Sequence, residues 1–442
     1  MSEKQTITII GGGLAGSEAA WQIAERNCRV QLIDMKPHKY SPAHSSENLA
    51  ELVCSNSLRS NDKTSAVGLL KEEMRACNSL TMRIAEETKV PAGKALAVDR
   101  EKFAAQITEI LQAHPFIDII RKELTEIPPE SDTVTILATG PLTSEPLADS
   151  LAQLTGKKRL AFYDAIAPIV DTDSLNMDII YQKSRYDDGP GDYLNCPMDK
   201  ETYLRFIDEL NNAEYVPLKD FEDIKYFEGC LPVEVISSRG EDTLRFGPMK
   251  PVGLTDPKTG KEPYAVIQLR KENREATTYN MVGFQTKLTY NEQKRIFRLI
   301  PGMENAEFPR LGSIHRNTYV LSPEILQPTL QFKSRPNLLL AGQLSGVEGY
   351  VESAAMGLLA GINGARIAGN IDPVIPPPEM ALGALVNHLT QSDPKRFQPS
   401  NVNFGLFPAW EKKIRKKFRG QERAERSSVA MEKWFEQEKV TG

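Results

Sequence analysis

Two cysteines lie in surroundings where a thiol can be chemically active. Cys54 lies in AELVCSNSLRSN, among serine, asparagine and arginine residues, and Cys230 follows a glycine and stands two residues before a proline. A neighbouring cation such as Arg59, or a helix terminus, would lower the pKa of the Cys54 thiol and favour the thiolate. A loop or strand start can expose a nucleophile, so Cys230 is a candidate for covalent catalysis.

Two kinds of chemistry fit this pair of thiols. With a redox cofactor they would suit a disulfide reductase, although such enzymes usually place their cysteines close in sequence and positions 54 and 230 are far apart. Alternatively, a thiolate adds to C6 of a pyrimidine ring, which makes C5 nucleophilic toward a one-carbon donor. The cysteines form no C-x-x-C pair and the histidines are scattered, so we expect no metal.

A glycine-rich turn near the N-terminus predicts a dinucleotide-binding unit. A β-branched run over residues 6–10 leads directly into G-x-G-x-x-G, a helical pattern of small residues and a second strand that ends in an acid. Such a turn lets a pyrophosphate approach the N-terminus of the helix, and the acid suits an adenosine ribose with a free 2′-hydroxyl. The predicted cofactor contacts are Gly11, Gly12, Gly13, Leu14, Ala15, Gly16 and Asp34.

The far end of the chain favours FAD over NAD, although spacing alone leaves both open. Apolar strands end in glycine at 138–140 and again at 341–343, so Gly140 joins the predicted cofactor contacts. In proteins with two dinucleotide-binding folds, late strand–glycine–helix units close over the flavin. A helix that begins near 347–353 would direct its positive N-terminus toward the reducible end of the ring.

The elements that must position these residues indicate an α/β fold. Strand and helix patterns of the Rossmann type occur at both ends of the chain, whereas the middle is rich in turns and in short apolar runs. We predict a discontinuous Rossmann-like FAD-binding domain over residues 1–160 and 325–442. An inserted α+β domain with antiparallel strands would occupy residues 161–324. The small-residue stretch 351–369 predicts a helix that packs close to a sheet.

Composition and charge exclude several classes of protein. With 442 residues, 40% hydrophobic and 26% charged, the chain is neither disordered nor fibrous, and five cysteines are too few for a disulfide framework. It has no stretch of 18 apolar residues, and its N-terminus has the pattern of a strand rather than a signal peptide. We therefore expect a cytoplasmic protein without a membrane span.

The net charge gives no general indication of nucleic-acid binding, but one segment is strongly basic. The whole chain carries a net charge of −5, whereas residues 411–426 contain eight Lys or Arg and three Glu. An acidic protein with one basic face can still bind a polyanion. The alternative is a solvated helix face without a partner.

Long segments of the chain resemble one family of enzymes. The matching runs include GGGLAGSEAAWQIA, AELVCSNSLRSN, VPAGKALAVDR, FEGCLPVEV and AGQLSGVEGYVESAAMGL, from residue 6 to about 405. They resemble the folate- and FAD-dependent tRNA (uracil-C5) methyltransferases of the TrmFO family. The resemblance implies that 5,10-methylenetetrahydrofolate donates a methylene group and that FAD with NADH or NADPH supplies electrons. The product would be 5-methyluridine in the T-loop of tRNA.

The resemblance also implies roles for individual residues. Cys230 is the predicted nucleophile at C6, Cys54 is the candidate for the base or assisting thiol that handles the C5 proton, and Tyr350 would lie close to the flavin ring. His315 and Arg316 are predicted folate contacts. Further flavin contacts would be Gly342, Gln343, Gly349 and Val351. Phosphates of the tRNA would contact Lys412, Lys413, Arg415 and Lys416.

Several alternatives stay open at this point. The same chemistry would also suit a uracil of ribosomal RNA. A GidA-like tRNA-modifying flavoprotein shares the glycine–flavin architecture and acts with a partner, but the segments around Cys54 and Cys230 favour the methyltransferase. A simple flavin oxidoreductase would oxidise NAD(P)H regardless of folate and tRNA, and a non-enzymatic RNA-binding protein would need neither thiols nor a dinucleotide turn. The oligomeric state, monomer or homodimer, does not follow from the sequence.

Overall fold

The computed structural model describes residues 5–156, 160–185, 189, 191–217, 226, 231–410, 414–415 and 418–438. The strands are β1 (Ile7–Ile10), β2 (Val30–Asp34), β3 (Ser57–Ser60), β4 (Lys89–Val90), β5 (Ala95–Val98), β6 (Ile117–Arg121), β7 (Thr135–Leu137), β8 (Leu160–Ile166), β9 (Ile169–Asp171), β10 (Tyr181–Gln182), β11 (Tyr193–Met198), β12 (Ala265–Lys271), β13 (Thr278–Met281), β14 (Ser313–Tyr319), β15 (Gln331–Phe332) and β16 (Arg335–Leu340). The helices are α1 (Leu14–Ala24), α2 (Ala66–Ala76), α3 (Leu80–Glu87), α4 (Arg100–Ala113), α5 (Glu145–Thr155), α6 (Lys200–Asn211), α7 (Val233–Ser237), α8 (Thr243–Phe246), α9 (Tyr290–Phe297), α10 (Ser322–Ile325), α11 (Tyr350–Ala368), α12 (Ala381–Gln391) and α13 (Arg419–Glu438).

The main sheet is built from the apolar runs at both ends of the chain. Its order is β15-β16-β7-β1-β2-β6, in which β16, β7, β1, β2 and β6 run parallel and β15 pairs antiparallel at one edge. Strand β1 has a parallel neighbour on each side, β7 and β2. In such sheets ligands bind outside the carboxyl ends of the strands, beside the strand at which the order reverses. The turn after β1 lies at that position. The predicted Rossmann-like α/β class is confirmed.

Helix α11 packs tightly between α1 and the sheet because its contact faces carry glycine. A Cβ atom on Gly357 would lie 2.1 Å from the carbonyl oxygen of Ala15 in α1. A Cβ on Gly364 would lie 3.2 Å from Ile136 Cδ1, a side-chain atom of β7. The predicted close approach of this helix to the sheet is confirmed, and its tightest backbone contact is with α1.

The middle of the chain forms a separate antiparallel sheet with its own apolar core. The order of this sheet is β10-β11-β12-β13-β9, and every neighbouring pair runs antiparallel, as predicted. Its buried side chains include Phe206 of α6 and Phe297 of α9. Strands β8 and β14 also pair with each other, antiparallel. The limits 1–160, 161–324 and 325–442 stay a prediction.

Two further features complete the fold. A small sheet of order β3-β5-β4, not predicted from the sequence, follows directly on the Cys54 segment. The C-terminal segment forms helix α13, and it is attached where Ser427 Oγ donates to Glu73 Oε1 at 2.7 Å. Among the described residues, no helix is long and apolar enough to cross a membrane.

We expect Gly357→Ala to lower the free energy of unfolding by about 2 kcal/mol, because the added methyl group overlaps the backbone of α1. Gly364→Ala is the matched control in the same helix. Its methyl group meets only side-chain atoms of Ile136 and Val134, the nearest at 3.2 Å, and no backbone. Because alanine also favours the helix, the free energy of unfolding should fall much less than in Gly357→Ala. Urea unfolding measured by circular dichroism compares the two variants. Equal losses would contradict the packing described here.

Candidate active site

A cleft opens at the carboxyl edge of the main sheet, between the turn after β1 and the loop before α11. Its wall combines the glycine turn with apolar side chains such as Leu124 and Leu147 and a few polar groups, a lining typical of sites for organic ligands. Most of the predicted cofactor contacts lie in its wall: Gly11, Gly12, Gly13, Leu14, Ala15, Asp34, Gly140, Gly342, Gln343 and Tyr350. Three further predicted contacts lie outside this wall: Gly16, Gly349 and Val351.

The glycine turn leaves room where a phosphate would approach. A Cβ atom on Gly16 would lie 1.8 Å from the carbonyl oxygen of Gly11, so helix and strand touch at that point. A Cβ on Gly13 or Gly140, by contrast, would meet no heavy atom within 4 Å. Gly13 directly precedes α1, whose unpaired N–H groups and dipole favour an anion. This arrangement fits the pyrophosphate of a dinucleotide.

The acid at the end of β2 is held in place by backbone hydrogen bonds. The N–H of Gly12 donates to Asp34 Oδ2 at 2.7 Å, and the N–H of Lys36 donates to Oδ1 at 2.9 Å. Asp34 therefore links the glycine turn to β2. Each carboxylate oxygen keeps a lone pair that can accept a ribose hydroxyl. The ribose contact itself stays a prediction.

The loop before α11 forms the opposite wall of the cleft. Gly342 and Gly349 have φ angles of +77° and +107°, a region that favours glycine. These two turns place the Gln343 amide against a carboxyl group of the same loop, with Nε2 donating to Glu348 Oε2 at 2.5 Å. Tyr350 then begins α11 at the end of the cleft.

The Tyr350 hydroxyl connects the cleft to the Cys54 thiol. It accepts the backbone N–H of Cys54 at 2.7 Å and that of Ser55 at 3.3 Å, and it lies 2.9 Å from Cys54 Sγ. The two N–H groups occupy the lone pairs of the hydroxyl oxygen, so its own hydrogen donates to sulfur. The structure thus brings together two predicted site residues that are 296 positions apart.

The expectation that Arg59 lowers the pKa of the Cys54 thiol is wrong. Burial raises this pKa to about 12, and the negative charge of Asp164 adds to the rise, while the Tyr350 hydrogen bond offsets part of it. Arg59 instead forms an ion pair with Glu352, in the first turn of α11. The thiol is therefore protonated at neutral pH.

Two arginines hold the Cys54 segment from other elements. Arg100 begins α4, its Nε donates to Glu272 Oε2 at 2.6 Å, and its positive charge lowers the pKa of the Cys54 thiol, against the larger effect of burial. Arg270 of β12 donates from Nη2 to Ser55 Oγ at 2.8 Å. The middle sheet therefore helps to fix the loop that carries the thiol.

His315 and Arg316 are neighbours on β14, and because side chains alternate along a strand they point to opposite faces. His315 shares its face with Asp164, which lies directly opposite on β8, and its Nε2 lies 2.9 Å from Ser313 Oγ. Burial lowers the pKa of His315, and the positive charge of Arg310 lowers it further, so the imidazole is neutral at neutral pH. Folate contacts of both residues stay predictions.

Several predicted site residues lie outside the described residues. These are Cys230, Lys412, Lys413 and Lys416. Arg415, from the same basic segment, is described and exposed. The roles assigned to this set therefore stay predictions.

The cleft also contains polar residues to which the sequence patterns gave no role. Ser41 Oγ lies 2.5 Å from His44 Nδ1, and Lys36 forms an ion pair with Glu51 at 3.6 Å. Burial lowers the pKa of His44, and the charge of Lys36 contributes. These residues lie on the loop after β2, and no spacing rule for helix or strand connects them.

Comparison with known proteins gives one matching family model and many closely similar sequences. The family model of glucose inhibited division protein A matches residues 6–372. A protein of Desulfotalea psychrophila named methylenetetrahydrofolate–tRNA-(uracil-5-)-methyltransferase TrmFO is 71% identical over 441 residues, 100% of this chain and 99% of that protein. The chain belongs to the TrmFO family. The TrmFO of Geobacter sulfurreducens is 58% identical over 430 residues, 97% of this chain and 98% of that protein.

The fold is shared more widely than the TrmFO sequence. GidA of Aquifex aeolicus superposes with a TM-score of 0.71 at 16% identity, over 100% of this chain and 74% of that chain. At this identity the likeness concerns the fold alone. Among the described residues, no group of three or more His, Cys, Asp or Glu side chains is placed to hold a metal ion.

We expect Gly13→Ala to reduce bound flavin at least about tenfold, because its methyl group fills the space for the pyrophosphate. The protein should still fold normally, since nothing else occupies that space. Gly16→Ala is the matched control: its methyl group overlaps the Gly11 carbonyl and should lower the free energy of unfolding by about 2 kcal/mol. Flavin absorbance of the purified variants and thermal melts of their flavin-free forms separate the effects. Full flavin retention in Gly13→Ala would refute the assignment.

We expect the alkylation rate of Cys54 by iodoacetamide to rise about tenfold per pH unit between about pH 7 and pH 10. The reactive thiolate is a small fraction of a thiol whose pKa is about 12, and this fraction grows in proportion to hydroxide. Tyr350→Phe should react more slowly throughout, because sulfur loses its hydrogen-bond donor. Peptide mapping by mass spectrometry assigns the modification to Cys54. A rate plateau near neutral pH would show that the thiol is already ionised.

Proposed function

We propose that this chain transfers the one-carbon unit of 5,10-methylenetetrahydrofolate to C5 of a tRNA uracil, the reaction that its TrmFO relatives are named for. The observation that supports it most directly is the contact between Tyr350 and Cys54. This contact places a thiol at the end of a cleft shaped for a dinucleotide. A simple oxidoreductase would have no need of a thiol held there.

FAD is the cofactor that the cleft fits. Gly13 and the N-terminus of α1 would hold its pyrophosphate, Asp34 its ribose, and the loop from Gly342 to Tyr350 would border the ring. Bound FAD, reduced by NADH or NADPH, supplies the electrons that convert the transferred methylene into a methyl group. The helix dipole of α11, which begins at Tyr350, would favour negative charge on the reduced ring.

The two thiols would act on opposite sides of the uracil C5–C6 bond. Cys230 is the nucleophile: its sulfur adds to C6, and the electron pair of the double bond makes C5 nucleophilic. After C5 has bonded to the one-carbon unit, the C5 proton leaves, and the electron pair of the C5–H bond expels the tetrahydrofolate nitrogen from the methylene carbon. When this methylene is reduced to a methyl group, the double bond returns to C5–C6 and the sulfur leaves C6. Cys54 would handle that proton. Because this thiol is protonated at rest, it acts as a base only if its own proton moves away.

The folate would lie near the face of β14 that carries His315. A neutral imidazole can stack on a pterin ring without a charge to desolvate, and Arg310 adds a cation nearby. Arg316 lies on the other face of β14, so it would contact folate only if part of the folate extended around the strand. This geometry favours His315 as the pterin contact.

The acceptor is a uridine of the tRNA T-loop. This base must leave the folded loop to reach two thiols and a cleft, and such flipping requires firm contacts to the phosphate backbone. Lys412, Lys413, Arg415 and Lys416 are our candidates for those contacts. Arg415 is exposed, and the helix α13 that follows is fixed to the body through Ser427 and Glu73. Binding would therefore weaken steeply with salt.

We expect a tRNA transcript that contains 5-fluorouridine to form a covalent complex with the FAD-loaded enzyme in the presence of 5,10-methylenetetrahydrofolate. Fluorine replaces the proton that must leave C5, so the adduct at C6 accumulates. Cys230→Ala should abolish the complex and keep FAD, whereas Cys54→Ala should still form it. Denaturing gels measure the complex, with a fluorinated ribosomal RNA fragment as the control for acceptor class. A complex that persists in Cys230→Ala and disappears in Cys54→Ala would reverse the roles.

A further inference from the structure

An arginine of the C-terminal helix α13 is surrounded by aromatic rings. The guanidinium carbon of Arg423 lies 5.1 Å from the ring centre of Phe404, 5.3 Å from that of Phe407 and 4.7 Å from that of Trp410. The rings of Phe404 and Phe407 meet each other edge to face, with centres 5.4 Å apart. We call these three aromatic residues the Arg423 cage. A guanidinium is attracted to the faces of such rings, so the cage fixes its direction.

The charge of Arg423 is not compensated within the part of the chain that the structure describes. Its side chain makes no ion pair and no hydrogen bond there, and its Nε atom is buried without an acceptor. The Nε1 atom of Trp410, in the same cage, is also buried without a partner. Burial lowers the pKa of Arg423, and the positive charges of Arg426 and Arg419 lower it further. Unpaired donors in a partly buried site of positive charge indicate an anionic ligand.

The acidic residues nearest in sequence do not change this balance. Glu422 and Glu425 lie one and two positions from Arg423, and side chains at those spacings do not face each other on a helix. Arg426, almost one turn further along α13, does have a carboxylate partner, because its Nη2 atom lies 3.0 Å from Glu379 Oε1. The two arginines therefore differ in charge compensation, although they lie on the same helix.

Helix α13 is fixed to the body of the protein on both sides of Arg423. A Cβ atom on Gly420 would lie 2.4 Å from the carbonyl oxygen of Thr64, so the start of the helix touches the segment that leads into α2. Further along, Ser427 Oγ donates to Glu73 of α2 at 2.7 Å. Arg423 lies between these two contacts, so the fold defines its position without a carboxylate partner.

The Arg423 cage is connected to the helix that ends the cleft. The N–H of Val402 donates at 2.9 Å to Glu352 Oε1, in the first turn of α11. Phe404 follows two residues later, at most about 7 Å away along an extended chain. Helix α11 begins with Tyr350, which lies in the wall of the cleft. The cage therefore adjoins the elements of the proposed reaction centre.

We propose that Arg423, oriented by the cage of Phe404, Phe407 and Trp410, binds a phosphate of the RNA substrate. A guanidinium stacked on a ring keeps its N–H edge available, and this edge matches two phosphate oxygens. Arg419 is exposed and four positions before Arg423, so the two lie on one side of α13, about 6 Å apart along its axis. This pair suits successive phosphates of a strand better than one small anion. The inference rests on the proposed function.

The test measures how tRNA binding to the FAD-loaded enzyme depends on salt. Arg423→Met keeps an unbranched apolar side chain in the cage and removes the charge. We expect it to weaken binding about tenfold at low salt and to lower the slope of log K against log salt by about 0.7–0.9, the effect of one phosphate contact. In methylation assays, KM for tRNA should rise by a larger factor than kcat falls.

Two further variants separate charge from packing. Arg423→Lys keeps the charge without the planar group, so it should keep most of the salt slope. Arg426→Met removes a cation that Glu379 already neutralises, and it is the matched control in the same helix. Its salt slope should equal that of the wild type. FAD content and thermal melts show whether each variant is folded.

The outcomes distinguish the phosphate site from the proposed function. If the wild type forms no 5-methyluridine in tRNA, the proposed function fails, and with it the assignment of the phosphate to an RNA substrate. If it does and Arg423→Met keeps the wild-type affinity and salt slope, only the phosphate site is wrong. Equal losses in Arg423→Met and Arg423→Lys with lower melting temperatures would assign Arg423 a structural role, which also overturns the site. A raised KM for methylenetetrahydrofolate with unchanged tRNA binding would identify a folate carboxylate as the anion instead.

Discussion

The hydrogen bonds of one tyrosine hydroxyl hold the two halves of this site together. Tyr350 stands at the first position of α11, which is packed on α1 and on the parallel sheet through glycine contacts. Its hydroxyl accepts two backbone N–H groups of the Cys54 loop and donates to the sulfur. The glycine turn, the late loop and the thiol are therefore kept in one fixed arrangement, and a shift of α11 would disrupt all three.

Burial has two opposite consequences in this arrangement. It keeps Cys54 protonated, which protects the thiol from adventitious oxidation and alkylation at neutral pH. It also makes every nearby charge effective, because the low dielectric strengthens the action of Arg100 and Asp164 on the sulfur. Reactivity of the thiol then depends on proton movement within the protein rather than on a resting thiolate.

The parts of the fold that could be predicted are those with local patterns. A β-branched run, three spaced glycines and a strand that ends in Asp34 specify a turn whose geometry hardly depends on the rest of the chain. The small residues of α11 likewise predict close packing. The small sheet of β3, β4 and β5 has strands of two to four residues without clear alternation, so no period revealed it.

The electrostatics of the site depend on contacts between distant parts of the chain. The sequence predicts Arg59 as the cation beside Cys54 because it lies five positions away. The fold turns it toward Glu352 and brings Arg100 and Asp164 to the thiol instead. Likewise, the two neighbours His315 and Arg316 suggested a joint contact, and strand geometry separates them. Residue types indicated the chemistry, whereas tertiary contacts decide the protonation states.

The most direct test follows labelled carbon from 5,10-methylenetetrahydrofolate into an unmodified tRNA transcript with NADPH and the FAD-loaded protein. Nucleoside analysis identifies the product, and the same reaction is run with Tyr350→Phe and Cys54→Ser. We predict label in 5-methyluridine of the T-loop for the wild type and a strong loss in both variants, while NADPH still reduces their flavin. Wild-type product formation in Tyr350→Phe and Cys54→Ser would show that the Cys54–Tyr350 contact is not part of the reaction centre.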